Sequence, residues 1–134
     1  MSSPTRLSDS SRVAIRRLRE RREINTVTLH YADPSGVLVP DVEGNLTHDE
    51  LVVALPTAEP RLVIHELAFA SPEGTRRHAH LIILWLPADT DALEETYTAG
   101  YSALKEHLAD IHVHLTARRT HQLEYRRLVA LASG

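Results

Sequence analysis

The chain has 134 residues, with 15 Lys and Arg against 18 Asp and Glu, a formal charge of −3, and 43% apolar residues. A chain of this size makes one domain that buries roughly two-thirds of its unfolded surface without needing a staple. The absence of cysteine excludes disulfide frameworks, thiolate metal sites and cysteine nucleophiles together, and makes a cytoplasmic setting the expectation. No apolar run approaches the ~18 residues that span a bilayer, the longest being Leu81 to Leu86, and no signal-type segment follows Met1.

One domain is expected over residues 1–134, with the Ser/Pro/Thr-rich residues 1–8 as a flexible tail. Ser8 or Ser10 caps a first helix with Val13, Ile15 and Leu18 as a narrow apolar stripe. From Asn25 to Tyr31 the apolar Val27, Leu29 and Tyr31 alternate with Thr26, Thr28 and His30, the period of a strand. Ala32-Asp33-Pro34-Ser35-Gly36 turns the chain into a second strand, Val37 to Val42. Thr47-His48-Asp49-Glu50 is a capping box that opens a short helix ending at Pro56.

Arg61 to Ala70 and Leu81 to Leu86 are apolar at both odd and even positions, so both are expected as central strands covered on two faces. A helix over 90–108 follows, with Leu93, Tyr97, Tyr101, Leu104 and Leu108 inward and Gly100 in its middle. Ile111, Val113 and Leu115 give an edge strand, and Thr120 caps a last helix with Leu123, Leu128 and Leu131 inside. The order α-β-β-α-β-β-α-β-α predicts an α+β sandwich: a mixed five-stranded sheet with helices on both faces.

Catalytic motifs are missing: there is no phosphate loop, no nucleophile elbow and no Walker lysine, since the only lysine is Lys105. His78-x-His80 and His112-x-His114 each put two imidazoles on one strand face. They read either as metal ligands or as solvated strand positions, and the second reading is adopted. No catalytic residue, metal or cofactor is expected. Fourteen of the fifteen basic residues are Arg, and six fall between Arg12 and Arg22. That stretch reads as a docking face for an acidic protein surface or phosphoinositide head groups, or as a solvated helix face. Negative net charge and 4% aromatic content argue against nucleic acid.

Pro60-Arg61-Leu62-Val63-Ile64, followed after the turn by Leu81-Ile82-Ile83-Leu84-Trp85-Leu86-Pro87, resembles the central hairpin of the ADF/cofilin homology domain. Tyr97-Thr98-Ala99-Gly100-Tyr101-Ser102-Ala103-Leu104-Lys105 resembles that family's long partner-facing helix, and the likeness spans about residues 10–132. Asp49-Glu50-Leu51, Leu55-Pro56 and Glu59-Pro60-Arg61 are similar to the glia maturation factor branch. Trp85 resembles cofilins, while Val27-Thr28-Leu29-His30-Tyr31 with Val39-Pro40 resembles coactosins.

The resemblance implies an ADF-homology, gelsolin-like fold and a non-enzymatic, cofactor-free role: a monomeric, cytoskeleton-associated regulator of actin or of the actin-related protein complex that nucleates branches. In the glia-maturation-factor reading, which is preferred, it dissociates branches. The alternatives are cofilin-like severing and coactosin-like side binding. Carried onto this chain, the long helix contributes Glu94, Glu95, Thr96, Ala99 and Tyr101. Arg76 and Arg77 at the hairpin tip, with Arg118, Arg119, Glu124, Arg126 and Arg127, form further contacts. Ala92 and Glu94, with Glu95 next to them, occupy positions where cofilins carry lysines, and the reversed charge weakens attraction to acidic actin. Ser3 is a tail contact, and phosphorylation of Ser2, Ser3 or Thr5 would repel an acidic partner.

Overall fold

The computed structural model describes residues 6–32, 36–87 and 91–133. In chain order its elements are β1 (Arg6–Leu7), α1 (Asp9–Arg19), β2 (Thr26–Tyr31), β3 (Val37–Gly44), α2 (His48–Ala54), β4 (Arg61–Ala70), β5 (Arg76–Trp85), α3 (Asp91–His107), β6 (Val113–Ala117), a 3₁₀ turn (Thr120–Leu123) and α4 (Tyr125–Ser133). The strands form one sheet in the order β1-β3-β2-β4-β5-β6. The β1–β3 and β5–β6 pairs are parallel and the others antiparallel. The expected turn residues Asp33, Pro34 and Ser35, the helix start at Thr90, and Ser2, Ser3 and Thr5 lie outside the described residues.

β4 and β5 alternate their side chains between two cores, as doubly covered strands must. Leu62, Ile64, Ile82 and Leu84 pack under α1 and α3 with Ala14, Ile15, Leu18, Tyr97 and Leu104. Val63, Leu67, Leu81, Ile83 and Trp85 pack under α2 and α4 with Leu51, Leu55 and Leu128. The Trp85 indole N–H donates to the Pro56 carbonyl at 2.7 Å, tying the end of the α2 turn to the sheet. The capping box of α2 forms as the sequence predicts, Thr47 and Glu50 bonding each other's backbone N–H at 3.1 and 2.8 Å.

The sheet has six strands where five are expected. Residues 6–7, read as tail, pair with β3, and Ser8 N–H donates to the Leu38 carbonyl at 3.0 Å. Two residues carry no alternation to recognise; half-buried Leu7 against the core is what holds them. β5 begins at Arg76, five residues earlier than its apolar run, because all ten residues of β4 find partners on it. β6 begins at Val113, since Ile111 is drawn into a turn onto Leu108.

The last helix is divided. Thr120 opens the 3₁₀ turn, and Glu124 (ψ 139°) breaks the chain before α4. Gln122 causes this by accepting from the Arg118 and Arg119 backbone N–H groups at 2.6 and 3.1 Å, which folds the turn back on the end of β6. Some predicted apolar positions point outward: Val13, Leu93 and Leu131 are exposed, and α1 instead buries Ser11, whose hydroxyl donates to the Leu38 carbonyl at 2.8 Å.

Candidate protein-docking site

The geometry of α3 is set from beneath. Tyr97 and Tyr101, four residues apart, share its inward face and are both buried. The Tyr97 hydroxyl accepts from the Tyr31 N–H at 3.1 Å, and the Tyr31 hydroxyl donates to the Thr96 carbonyl at 3.3 Å. The two rings meet edge to face at 4.9 Å. Gly100 lets this happen: a Cβ there would lie 2.5 Å from the Tyr31 hydroxyl and 3.0 Å from Leu62 Cδ1. Burial pushes both the Tyr97 and Tyr101 phenols above their ordinary range, so they stay protonated.

A helix pinned this way presents the opposite face to solvent. Glu95, Thr98, Ala99 and Ser102, spaced i, i+3, i+4 and i+7, form an exposed strip with half-buried Glu94 at its start. Arg118, at the end of β6, donates to Glu94 at 2.5 Å, so part of the acidic character there is neutralised. Thr96 is exposed but lines a neighbouring groove with Tyr31, Arg61 and Leu93. Tyr101 does not belong to the strip: its ring faces the core, with Lys105 Nζ 4.4 Å from the ring centroid, so it holds the helix in place. Thr98 and Ser102 were missed by sequence reasoning, although their spacing from Glu95 marks them on the same face.

Arg76 and Arg77 stand exposed at the other end of β5, about 30 Å from Trp85 at ~3.3 Å per residue. The tip between β4 and β5 is closed by its own backbone hydrogen bonds. Ser71 N–H donates to the Thr75 carbonyl and Gly74 N–H to the Ser71 carbonyl, both at 2.8 Å, with Gly74 at φ 85°. Bonds from its own backbone and Ser71 hold Glu73 below the usual carboxylate range, with a lesser contribution from Arg77. The Tyr125 hydroxyl donates to the Ala68 carbonyl at 2.8 Å and so seats α4 on the tip-side half of β4. Glu124, Arg126 and Arg127 are exposed there, as is Arg119 before the 3₁₀ turn.

The arginine-rich stretch formed by α1 and the turn after it is largely neutralised. Arg16 pairs with Glu20, Arg17 with Glu23 and Glu43, Arg19 with Asp110, Arg21 with Glu23, and Arg22 with Glu66. Arg12 alone of the six has no side-chain partner among the described residues. The residues marking the branches of the family turn out to be structural. Asp49 and Glu50 lie in the first turn of α2, where Glu50 closes the capping box, and Trp85 is core. Arg61 is buried, bonding Asp41 at 3.0 Å, Glu59 at 3.3 Å and the Pro60 carbonyl at 2.8 Å.

Among the described residues no group of three or more His, Asp or Glu side chains has the arrangement to hold a metal ion. His78, His112 and His114 are exposed, and His114 Nε2 lies 2.8 Å from the Ile111 carbonyl. Nor is any helix among the described residues long and apolar enough to cross a membrane.

Residues 5–132 match the family of cofilin/tropomyosin-type actin-binding proteins. The chain belongs to that family. Its members of the cofilin and coactosin type are non-enzymatic. The cofilin of Streptomyces griseoflavus has the same fold, with a TM-score of 0.85 at 16% identity over 96% of this chain and 97% of that one. Actin depolymerization factor 2 of Plasmodium berghei gives 0.82 at 19% identity, covering 99% of both chains. Coactosin from Entamoeba histolytica gives 0.81 at 17% identity, over 98% of this chain and 96% of that one. No curated protein matches in sequence.

Proposed function

We propose that this protein regulates actin assemblies by docking the outward strip of α3 into a cleft of an actin-fold subunit. The observation that carries this reading is the strip itself: Glu95, Thr98, Ala99 and Ser102 lie exposed on a helix whose other face is locked by Tyr31, Tyr97 and Gly100. Small residues let a partner's backbone approach closely, and a rigid helix loses little entropy on binding. The protein then acts by differential affinity, favouring one filament or branch conformation and shifting its population.

The preferred partner is the actin-related complex at filament branches, in the manner of the glia maturation factors, because the strip opens on Glu94 and Glu95 without a lysine. A cofilin- or coactosin-like preference for actin itself is the second reading, favoured by the Arg118 pair that offsets Glu94. Arg76 and Arg77, with Glu124, Arg126 and Arg127, would make a second contact on the adjoining subunit. The internal pairing of the α1 arginines leaves phosphoinositide head groups outside the proposal.

Co-sedimentation with actin filaments, with and without the branch complex, tests the assignment. Binding that requires the branch complex and falls at least about tenfold in Ala99→Arg, a bulky charge on the strip, is the expected result. Tight binding to actin monomers, with severing, assigns the cofilin-type reading instead. Binding indifferent to Ala99→Arg removes α3 from the interface.

A further inference from the structure

Between α1 and the C-terminal half of α3 runs a groove, open to solvent along its length. Its first part, about 420 Å³, has Leu7, Leu38 and Leu104 as floor, with Arg6, Arg12 and His107 on its rim. Arg12 and His107 continue into a second part of about 410 Å³, floored by Ile15 and Leu108 and flanked by Arg16 and Arg19. Glu106 and Glu20 also border the two parts. Arg16 is paired with Glu20 and Arg19 with Asp110, which leaves Arg6 and Arg12 as the groove's arginines without an acidic partner among the described residues, above an apolar floor.

We infer that this groove binds an extended acidic peptide segment of a partner protein. Three features favour that occupant. Arg6 and Arg12 have no side-chain partner among the described residues, so their guanidinium groups are available for carboxylates. Arg12, Arg16 and Arg19 recur at i, i+4 and i+7 on one helix face, and Arg12 to Arg16 is a rise of about 6 Å. That is close to the ~6.7 Å between alternate residues of an extended chain, so one acidic side chain meets Arg12 and the next displaces exposed Glu20, 3.9 Å from Arg16, while the intervening ones reach the floor. A compact multiply charged head group has no use for the apolar floor.

The test uses neither actin nor the four strip residues of α3. The probe is a dye-labelled hexapeptide alternating aspartate with leucine, read by fluorescence anisotropy against the same peptide with asparagine for aspartate. The aspartate peptide is expected to bind at least about tenfold more tightly, with affinity falling as salt rises. Arg12→Glu weakens it at least about tenfold and Arg76→Glu leaves it unchanged. Arg12 is exposed, and an unchanged circular dichroism spectrum establishes that the variant folds. Equal binding of the two peptides, indifference to Arg12→Glu, or no binding up to about 1 mM overturns the inference. So does flotation with anionic phospholipid vesicles that depends on Arg12 when the peptide does not bind.

Discussion

Gly100 occupies a position where helix propensity and packing pull in opposite directions. Alanine there gains about 1 kcal/mol of intrinsic helix preference. It also drives a methyl to 2.5 Å from the Tyr31 hydroxyl, which is itself bonded to Thr96. Overpacking of this kind costs about 1–3 kcal/mol. Gly100→Ala is therefore expected to destabilise the fold by up to about 2 kcal/mol net in urea unfolding, and adding Tyr31→Phe to restore part of the loss.

His65 is the second residue whose environment overrides its type. It is buried, its Nδ1 lies 2.9 Å from the Thr26 hydroxyl, and that hydroxyl donates to Asn25 at 2.7 Å. Burial first, then the neighbouring His48, lowers its pKa from 6.5 to about 4. The unfolded chain thus binds the proton more readily than the native one between those values. His65's contribution is complete above pH 6.5 and declines as the pH falls toward 4. Stability should drop by about 2 kcal/mol from pH 7 to pH 5 through this group alone. Chemical denaturation at the two pH values measures it, and His65→Asn flattens the profile.

Among the elements, α2 is the one whose start is most completely specified by local sequence. Both arms of its capping box are made. Thr47→Ala removes the acceptor for the Glu50 N–H and is expected to cost about 1 kcal/mol, visible as a lower denaturation midpoint with unchanged slope. α4 is the contrary case. Nothing between Thr120 and Tyr125 is a strong helix breaker, yet the chain is broken there because Gln122 reaches back to the end of β6. α1 shows the same dependence on distant residues. Its arginines read as one cationic surface along the helix, but Glu43, Glu66 and Asp110 arrive from β3, β4 and the loop after α3 to pair with them. Exposed pairs like these contribute little stability, typically under about 1 kcal/mol each, but they cancel charge that a partner would otherwise meet.

At the scale of the molecule, the sheet separates two candidate contacts. The α3 strip lies toward the end where β5 stops, beside Arg118, and the Arg76–Arg77 tip lies at the other end with α4 seated on the tip-side half of β4. A regulator of assemblies can use such a span to touch two subunits at once. Arg76→Ala with Arg77→Ala is expected to weaken filament or branch binding about tenfold while leaving binding to a single subunit unchanged. Comparing pelleting with monomer titration measures the difference. The effect should shrink at high salt, where exposed charges are screened.

The composition and the apolar pattern of the chain already determined a sheet with β4 and β5 at its centre, helices on both faces, and the capping box. These follow from local periodicity and side-chain chemistry, which belong to neighbouring residues. The order Pro60-Arg61 through Leu104 likewise carried the family. Tertiary structure alone decided the rest. β1 exists because Leu38 offers it a partner; Arg17, Arg19 and Arg22 are quenched by acids remote in sequence; Gln122 breaks the last helix by reaching back to the end of β6. The first two depend on which residues far apart along the chain come within a few ångströms, and the third on a side chain meeting the end of a strand; a single helix or strand pattern does not contain that information.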